Sequence, residues 1–491
     1  MKEVKTTKIK YSNILIFIGI LVLIFYLSMI AGVDKVSSKV SNKISSKEKE
    51  NNTNTFIPQG RVSHNWGEPL NRDMDADGND DSAVIIKSIS DKVDDIGYSI
   101  TGDIKGNIYV TGICGNLYVL KLNSNGALDK SFGNNGVFSI ENIAGDYFYP
   151  DAGRSIYVDR NGKVYVCGEA GKHSLFVLRL NNKGGLDPSF ANYGKFVLDS
   201  LDNVSDSSIS AYSFCLDNKN RIYVTGGTYS SKNKAYCPYI LRLNSNGKID
   251  NTFGNKGKVI FDNIFKEGNE SKGRAVCVDA NGKIYIAGKG IEKQKESNDS
   301  DVFIIRLNED GSIDKSFGDN GKVIIDSIGG KNTTDDAYSI HVDNKGKIYV
   351  AGESKDSMFV VRFNNDGSPD SDFSTAIINK VQITGFVFYY KYDYRDDIQG
   401  AMYVDSNGSV YLTSWIFKGR GDRDIAVVKI NNDGTIDNSF GKKGMVIVHN
   451  VAGGNGGDVG RAIYVDNNGY IYVTGESSNG KDYDTYVLRI E

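Results

Sequence analysis

Leu120–Gly136 reads LKLNSNGALDKSFGNNG, and the phrase returns as LRLNSNGKIDNTFGNKG at 241–257, IRLNEDGSIDKSFGDNG at 305–321 and VKINNDGTIDNSFGKKG at 428–444. Weaker copies begin at Leu178 and Val361, which makes six. Each holds an apolar run, an Asn-x-x-Gly turn, then an apolar residue or Pro369, Asp, two variable residues and Phe, usually with Gly after it. A phrase recurring at a fixed interval builds a repeat architecture, in which each unit buries its apolar face against the next.

A second phrase comes before it: GRSIYVDRNGKVYVCG at 153–168, GRAVCVDANGKIYIAG at 273–288, AYSIHVDNKGKIYVAG at 337–352 and GRAIYVDNNGYIYVTG at 460–475. Its turn acids Asp103, Asp159, Asp217, Asp279, Asp343, Asp405 and Asp466 are spaced by 56, 58, 62, 64, 62 and 61 residues. A period near sixty suits four strands with their turns and exceeds that of leucine-rich or paired-helix repeats. Apolar alternation on both sides of an Asn-Gly or Lys-Gly turn predicts a hairpin, strands A and B, such as Ser155–Val158 with Lys163–Val166. Strand C follows at Phe176–Leu180, and the Asp-x-x-Phe loop leads to strand D, as at Lys322–Ile325.

Tyr109, Tyr165, Tyr223, Tyr285, Tyr349, Tyr411 and Tyr472 sit mid-strand between Ile, Val or Leu neighbours, so both faces of strand B are apolar. Such sheets need cover on both sides, which four-stranded blades packed around an axis supply. The loop residues Phe132, Phe190, Phe253, Phe317, Phe373 and Phe440 are expected to fill the joints. The last unit runs out at Glu491 after strand C at Tyr486–Ile490, while Ala83–Ile86 far upstream matches a strand D with no A to C before it. The expected fold is therefore all-β: a seven-bladed β-propeller of four-stranded antiparallel blades, closed by strand exchange between the termini, which removes an open edge.

The Leu-Asn-x-x-Gly-x-Leu/Ile-Asp-x-x-Phe-Gly-x-x-Gly phrase resembles the delta-60 repeat of bacterial proteins, and Asp-x-x-Gly-x-Ile-Tyr-Val-Thr-Gly is similar to the seven-bladed propeller (SBBP) repeat. Together they span roughly residues 83 to 491. The resemblance implies the propeller architecture and carries no catalytic residues. One unit departs from it, since Phe373 is followed by Ser374 and strand D there is less clearly marked.

The amino terminus has a different composition. Ile14–Val33 is an uncharged, mostly apolar run of twenty residues, long enough to cross a bilayer as a helix. Lys2, Lys5, Lys8 and Lys10 stand before it, which favours that end staying in the cytoplasm with the propeller outside. A cleaved signal peptide, with secretion, is the rival reading, although the run exceeds a signal sequence's apolar region and lacks an Ala-x-Ala site. The organisation read from sequence is thus 1–13 cytoplasmic stub, 14–33 transmembrane anchor, 34–56 flexible tether and 57–491 propeller. Beyond residue 50 the chain holds 49 basic and 57 acidic residues, which argues against nucleic acid as a partner. Five cysteines are too few for a disulfide framework; Cys114 and Cys237 are read as loop residues able to form a bridge.

Asp73-Met74-Asp75-Ala76-Asp77-Gly78-Asn79-Asp80-Asp81 alternates carboxylates with a glycine at the sharp turn, a pattern that wraps Ca2+. The expected ligands are Asp73, Asp75, Asp77, the Asn79 carbonyl and Asp81. Val84 at the twelfth position excludes a helix-loop-helix hand, and the loop resembles the calcium loops of FG-GAP-type propeller blades; turn capping is the plain alternative. For catalysis there is no His-Glu-x-x-His pair, nucleophile elbow or phosphate loop, so no catalytic residue is assigned. Asp129, Asp187, Asp250, Asp314, Asp370 and Asp437 recur once per unit and read as turn-capping residues.

The A–B and C–D connections are nearly constant in length, whereas the B–C and D–A connections vary and lie on one face of a propeller. That face carries Tyr389, Tyr390, Tyr392 and Tyr394, with Trp415 and Phe417 read as part of the next B–C loop. Aromatics beside charges suit sugar rings or peptides. The sequence therefore points to a monomeric, membrane-anchored extracytoplasmic propeller that binds a glycan or protein ligand. An extracellular polysaccharide lyase or hydrolase is the alternative.

Overall fold

A computed structural model of the chain describes residues 61–491 apart from 71–73, 76–81, 87–93, 147–148, 202–207, 231–233, 263, 266–269, 292–299, 327, 329–333, 355–356, 380–400, 420–421 and 455. The expected anchor and tether lie outside the described residues. Among the described residues no helix is long and apolar enough to cross a membrane.

Seven antiparallel sheets follow one another, six of them four-stranded and built from consecutive strands. Blade one is Asp95–Gly102, Ile108–Cys114, Leu117–Leu122 and Val137–Ile140, strands A to D. The A strands of the other blades are Ala152–Val158, Ile209–Leu216, Ser271–Val278, Asp335–Val342, Ala401–Val404 and Asp458–Val465. Each touches the A strand of the next blade, and Asp458–Val465 touches Asp95–Gly102, so the A strands surround the axis. The described residues form an all-β seven-bladed propeller.

The seventh sheet has five strands. Asp458–Val465, Ile471–Ser478 and Tyr483–Ile490 are joined by Ser82–Ile86 and then Glu68–Pro69. Val84 pairs with Val487, Ile85 with Tyr486 and Ile86 with Thr485, all antiparallel. Packing explains why both faces of strand B are apolar, because each hydrophobic cluster draws on two blades. Tyr109, Leu117 and Phe132 of blade one, for example, share a core with Ile156, Val166 and Leu178 of blade two. Phe132, Phe190, Phe253, Phe317 and Phe440 are fully buried, each edge-on to the strand B tyrosine of its own blade at 5.9–6.5 Å. Strand D of the divergent unit is formed, at Ala376–Asn379, despite Ser374.

Two local expectations are corrected. Trp415 and Phe417 are strand residues, because the apolar run continues the ladder of Val410–Gly419 against Asp422–Ile430, with Trp415 opposite Ile425 and Phe417 opposite Arg423. Cys114 and Cys237 also lie in strands and are buried, and no disulfide joins the five cysteines, all of which are among the described residues.

Candidate functional site

Strand ends define two different faces. Every A–B turn has five residues, and C–D loops have fourteen, or twelve in blade five. On the opposite face B–C connections run from two to eight residues and D–A connections from eight to twenty-one.

The constant face carries a clasp that recurs in blades two to five, with Lys121–Asp129 and Lys429–Asp437 pairs at the same place in blades one and six. In blade two, Arg179 on strand C stacks on Phe190 at 4.7 Å, and its Nε donates to Asp187 Oδ2 at 2.9 Å. Its Nη1 donates to the Ser245 carbonyl of blade three at 2.8 Å. Arg242, Arg306 and Arg362 repeat the arrangement with Phe253, Phe317 and Phe373. Burial pushes the Asp187 and Asp314 carboxyls up, but Lys163 or Lys283, the Ser189 or Ser316 hydroxyl and the buried arginine outweigh it and hold both well below the usual carboxylate range. The loop acids are therefore structural: Asp187 Oδ1 also accepts the Ser189 backbone N–H at 3.0 Å. Turn acids are used in the same way, Asp159 Oδ1 accepting the N–H groups of Asn161 and Lys163 at 2.9 Å each. A cleft of about 360 Å³ opens between blades five and six on this face, lined by His341, Asp343, Tyr349, Arg362 and Asp405. Burial lowers the His341 pKa there.

The axis is less uniform. In six A strands the ladder slips at one level, between Gly97 and Ser99, Gly153 and Ser155, Ala211 and Ser213, Gly273 and Ala275, Ala337 and Ser339, and Gly460 and Ala462. A bulge leaves one residue out of the ladder and re-aims its side chain. Here those residues are Tyr98, Arg154, Tyr212, Arg274, Tyr338 and Arg461. The residue before the bulge must be small: a Cβ on Gly153 would stand 2.2 Å from Thr111 Oγ1, and one on Gly460 2.2 Å from Thr413 Oγ1.

The arginines sit on the tyrosines. Arg154 lies 4.5 Å and Arg461 5.4 Å from the Tyr98 ring, and Arg274 lies 4.7 Å from Tyr212. Strand B supplies acids at the same level, with Arg154 donating to Glu169 Oε2 at 2.8 Å and Arg461 to Glu476 Oε2 at 2.8 Å. Arg274 lies 3.6 Å from Asp336, which also pairs with Lys289 at 2.8 Å. The strand B column, four residues beyond each tyrosine, reads Ile113, Glu169, Gly227, Lys289, Glu353, Trp415 and Glu476. It lies toward the end of strand B, nearest the variable connections. Buried, stacked guanidinium groups under partly exposed Glu169 and Lys289 form a charged, aromatic ring at the variable-face end of the axis.

The residues singled out from sequence are only partly placed. Trp415 stands in this column, 9% exposed, with Arg423 at 4.9 Å over its ring. Tyr389, Tyr390, Tyr392 and Tyr394 lie outside the described residues. So do Asp73, Asp77, Asn79 and Asp81; Asp75 Oδ2 accepts the Val62 backbone N–H at 2.6 Å. Sequence reasoning missed the ring, although its signal was present. The triplets Gly-Tyr-Ser, Gly-Arg-Ser, Ala-Tyr-Ser, Gly-Arg-Ala, Ala-Tyr-Ser and Gly-Arg-Ala put Tyr or Arg at one repeat position, between two small residues.

Five segments match a known family model. It is described as a β-propeller domain of unknown function, DUF5122, and the segments are 160–190, 220–253, 280–317, 346–373 and 406–440. Each runs through strands B and C and ends on the phenylalanine of the clasp. Similar solved structures include a protein of unknown function from Bacteroides caccae, 13% identical over 70% of this chain and 98% of that one, TM-score 0.36. The WD40 propeller domain of Doa1 is 10% identical over 82% and 95%, TM-score 0.41. A polysaccharide lyase, the PL25 ulvan lyase, is 12% identical over 73% and 78%, TM-score 0.39. No curated protein matches the chain.

Proposed function

We propose that this chain is a binding module, held outside the membrane by residues 14–33 and the 34–56 tether, whose glycan or protein ligand docks on the variable face over the axial ring. One contrast carries the reading. Arg, Asp and Phe repeat in the constant-face clasp of four successive blades, whereas the axial ring changes from blade to blade between Tyr and Arg and between Glu, Lys and Trp. Uniform residues suit a shared packing role, and varied ones suit a surface shaped to one ligand. Arrayed polysaccharides and peptides probed with the full chain test it: retention lost in Glu169→Gln, Lys289→Gln with an unchanged melting temperature supports the reading, and retention unaffected moves the site elsewhere.

The enzyme alternative has one observation in its favour. Asp336 and Glu353 face each other across the A–B ladder of blade five, near the axis. Asp336 is tied to Lys289 and Arg274, an ion-pair arrangement more than a proton-sharing dyad. Cleavage of an acidic polysaccharide by the full chain, abolished in Asp336→Asn, would replace the binding reading with this one.

Calcium belongs to the same proposal, with Asp73, Asp75, Asp77, the Asn79 carbonyl and Asp81 as ligands. The donor set is chemically apt, since hard oxygen ligands in alternate positions suit Ca2+. The Asp75–Val62 hydrogen bond would couple such a loop to the segment that completes blade seven.

A further inference from the structure

On the constant face, two clefts between blades hold arginines in different states. In the cleft between blades five and six Arg362 is fully engaged, its Nη1 donating to the Asn432 carbonyl and side-chain oxygen at 2.7 Å each and to the Tyr349 hydroxyl at 3.3 Å. Another cleft, of about 260 Å³, opens between blades seven and one, where the A–B turns at 103–106 and 466–468 approach each other. Its arginine is Arg489, opposite Tyr472 as Arg179 is opposite Tyr165.

Trp66 changes what Arg489 can reach. In blades two to five the arginine Nη1 donates to a carbonyl of the next blade, at Ser245, Glu309, Asn365 and Asn432. The matching carbonyl for blade seven belongs to Ser124, and it accepts the Trp66 indole N–H at 2.9 Å. Arg489 Nη2 goes to Ser63 Oγ at 2.8 Å and Glu491 Oε1 at 2.6 Å, while its Nε has no acceptor among the described residues. Its Nη1 is left to the cleft, beside the Tyr472 hydroxyl.

The acids of this cleft are already occupied. Asp103 accepts four hydrogen bonds, from the Lys105 and Asn107 backbone N–H groups, the Asn107 amide and the Tyr109 hydroxyl, which fills a carboxylate's acceptor sites. Asp466 accepts three, from the Asn468 and Tyr470 N–H groups and the Tyr472 hydroxyl. Donors are what the cleft has to offer, namely Arg489 Nη1 and the exposed Lys105. Its rim is also apolar at an unusual place. Ile104 is 74% exposed, at the turn position filled elsewhere by Arg160, Asn218, Ala280, Asn344, Ser406 and Asn467. Tyr464 and Tyr470 line the same cleft, with exposed Ser124 and Asn468 beside them.

We infer that the cleft between blades seven and one is a second binding site, for a sugar acid. Its carboxylate is received by Arg489 and Lys105, its carbon face packs on Ile104 and Tyr464, and its hydroxyls turn to Ser124 and Asn468. A carboxylate brings acceptors only, which is what the leftover donors require. The volume falls below the roughly 300–1,000 Å³ of sites for larger ligands and suits one ring. This site lies on the face opposite the ligand surface proposed above and does not depend on that reading.

The test is calorimetric titration of the full chain with methyl glucuronide, methyl glucoside and acetate. The glucuronide should bind tightest, with the glucoside, which lacks the carboxylate, and acetate, which lacks the ring, each weaker by roughly tenfold or more. Trp66→Phe removes the indole N–H and frees the Ser124 carbonyl for Arg489, as Phe190 leaves the Ser245 carbonyl to Arg179, so it should weaken the glucuronide roughly tenfold. Lys105→Gln should weaken it by roughly threefold, the scale of an exposed ion pair. Lys345→Gln, at the matching turn position of the cleft between blades five and six, should change nothing. Melting temperatures of all variants exclude unfolding as the cause. Equal binding of glucuronide and glucoside, acetate binding as tightly as glucuronide, or an unchanged affinity in a folded Trp66→Phe variant overturns the inference. The Glu169→Gln, Lys289→Gln variant separates the two faces: it should leave glucuronide affinity unaltered, and a loss there would put the sugar acid on the variable face and remove this site.

Discussion

Blades two and seven hold the same clasp in different covalent forms. In blade two Leu186, Asp187 and Phe190 follow strand C in one loop, with Leu186 bridging Leu180. In blade seven the bridge joins Ile490 to Val62, hundreds of residues earlier in the chain. Four residues after Val62 comes Trp66, in the place of Phe190. It is 1% exposed, edge-on to Tyr472 at 5.4 Å and under Arg489 at 5.9 Å, as Phe190 is edge-on to Tyr165 and under Arg179. The Gly67 N–H reaches the Asn125 carbonyl of blade one at 3.3 Å, as the Ala191 N–H reaches Asn246 at 2.7 Å. The acid has moved: Ser63 stands where Asp187 does, and Arg489 pairs instead with Glu491 at 2.6 Å. Packing and register define the clasp, and chain connectivity is only one way to supply its parts.

The largest expected effect comes from removing the supplied part. A chain beginning at Asp94 loses Val62, Trp66 and Val84–Ile86. Burial of Val84 and Ile86 contributes about 1.5–3 kcal/mol each as an upper estimate, and replacing a buried aromatic ring by alanine costs about 3–5 kcal/mol. Those losses rival a domain's whole stability. The truncated chain should show no cooperative melting transition, while Trp66→Ala and Phe190→Ala should lower the transition by similar amounts. A truncated chain that melts like the intact protein would show that the ring does not depend on its seventh outer strand.

Arginine removal sharpens the comparison. Arg179→Ala leaves Asp187 buried with Lys163 as its remaining cationic partner beside the Ser189 hydrogen bonds, and breaking a buried pair of this kind costs about 3–5 kcal/mol. Arg489→Ala should cost less, since the Glu491 side chain is 21% exposed and can turn to water. Denaturant midpoints of the two variants give the order directly. A larger loss in Arg489→Ala would mean that the seventh clasp contributes more to stability than the second.

Acid should separate the clasps as well. The folded-state pKa of Asp187 and Asp314 lies below the unfolded value, so the folded chain binds fewer protons in acid than the unfolded one. Their contribution is complete above an unfolded carboxylate pKa of about 4 and declines as pH falls through the folded values. Melting temperature should therefore drop steadily below about pH 4, and Asp187→Asn should start lower at neutral pH and fall less. An unaltered pH slope in that variant would assign the acid sensitivity to other carboxylates.

Much of this was legible in the sequence because the determinants are local and repeated. Asn-Gly turns, alternating Ile-Tyr-Val strands and Asp-x-x-Phe loops each state their structure within a dozen residues. Ala83–Ile86 was recognisable as a strand D for the same reason. Val62-Ser63-His64-Asn65-Trp66-Gly67 was not, since a serine replaces the acid, a tryptophan the phenylalanine, and no Asn-x-x-Gly turn precedes it. The axial ring was hidden differently. Its Tyr and Arg column was visible, but only the bulge register shows that these residues leave the ladder together at one level. Trp415 was misplaced because loop length alone does not reveal that the strands of blade six run on to Gly419.

The smallest effect is expected from the loop inserted into the seventh clasp. Between Gly67 and Ser82 the chain has fourteen residues, where blade two has only Asn192–Gly194 between Ala191 and Lys195, and the aspartate-rich stretch lies in that insertion. If Asp73, Asp75, Asp77 and Asp81 hold Ca2+, binding only the folded state raises stability by mass action, about 2.7 kcal/mol at a hundredfold excess over the dissociation constant. Chelator should then lower the melting temperature of the intact protein modestly, and leave Asp77→Ala, Asp81→Ala, whose baseline already lacks the metal, unchanged. Asp75 is unsuitable for this test, since its bond to Val62 would be lost with the carboxylate whether or not a metal is bound. An intact chain whose transition is indifferent to millimolar calcium would make the acids turn caps, and the inserted loop would then contribute to the clasp through Met74, buried against the core shared by blades six and seven, and through the Asp75–Val62 hydrogen bond.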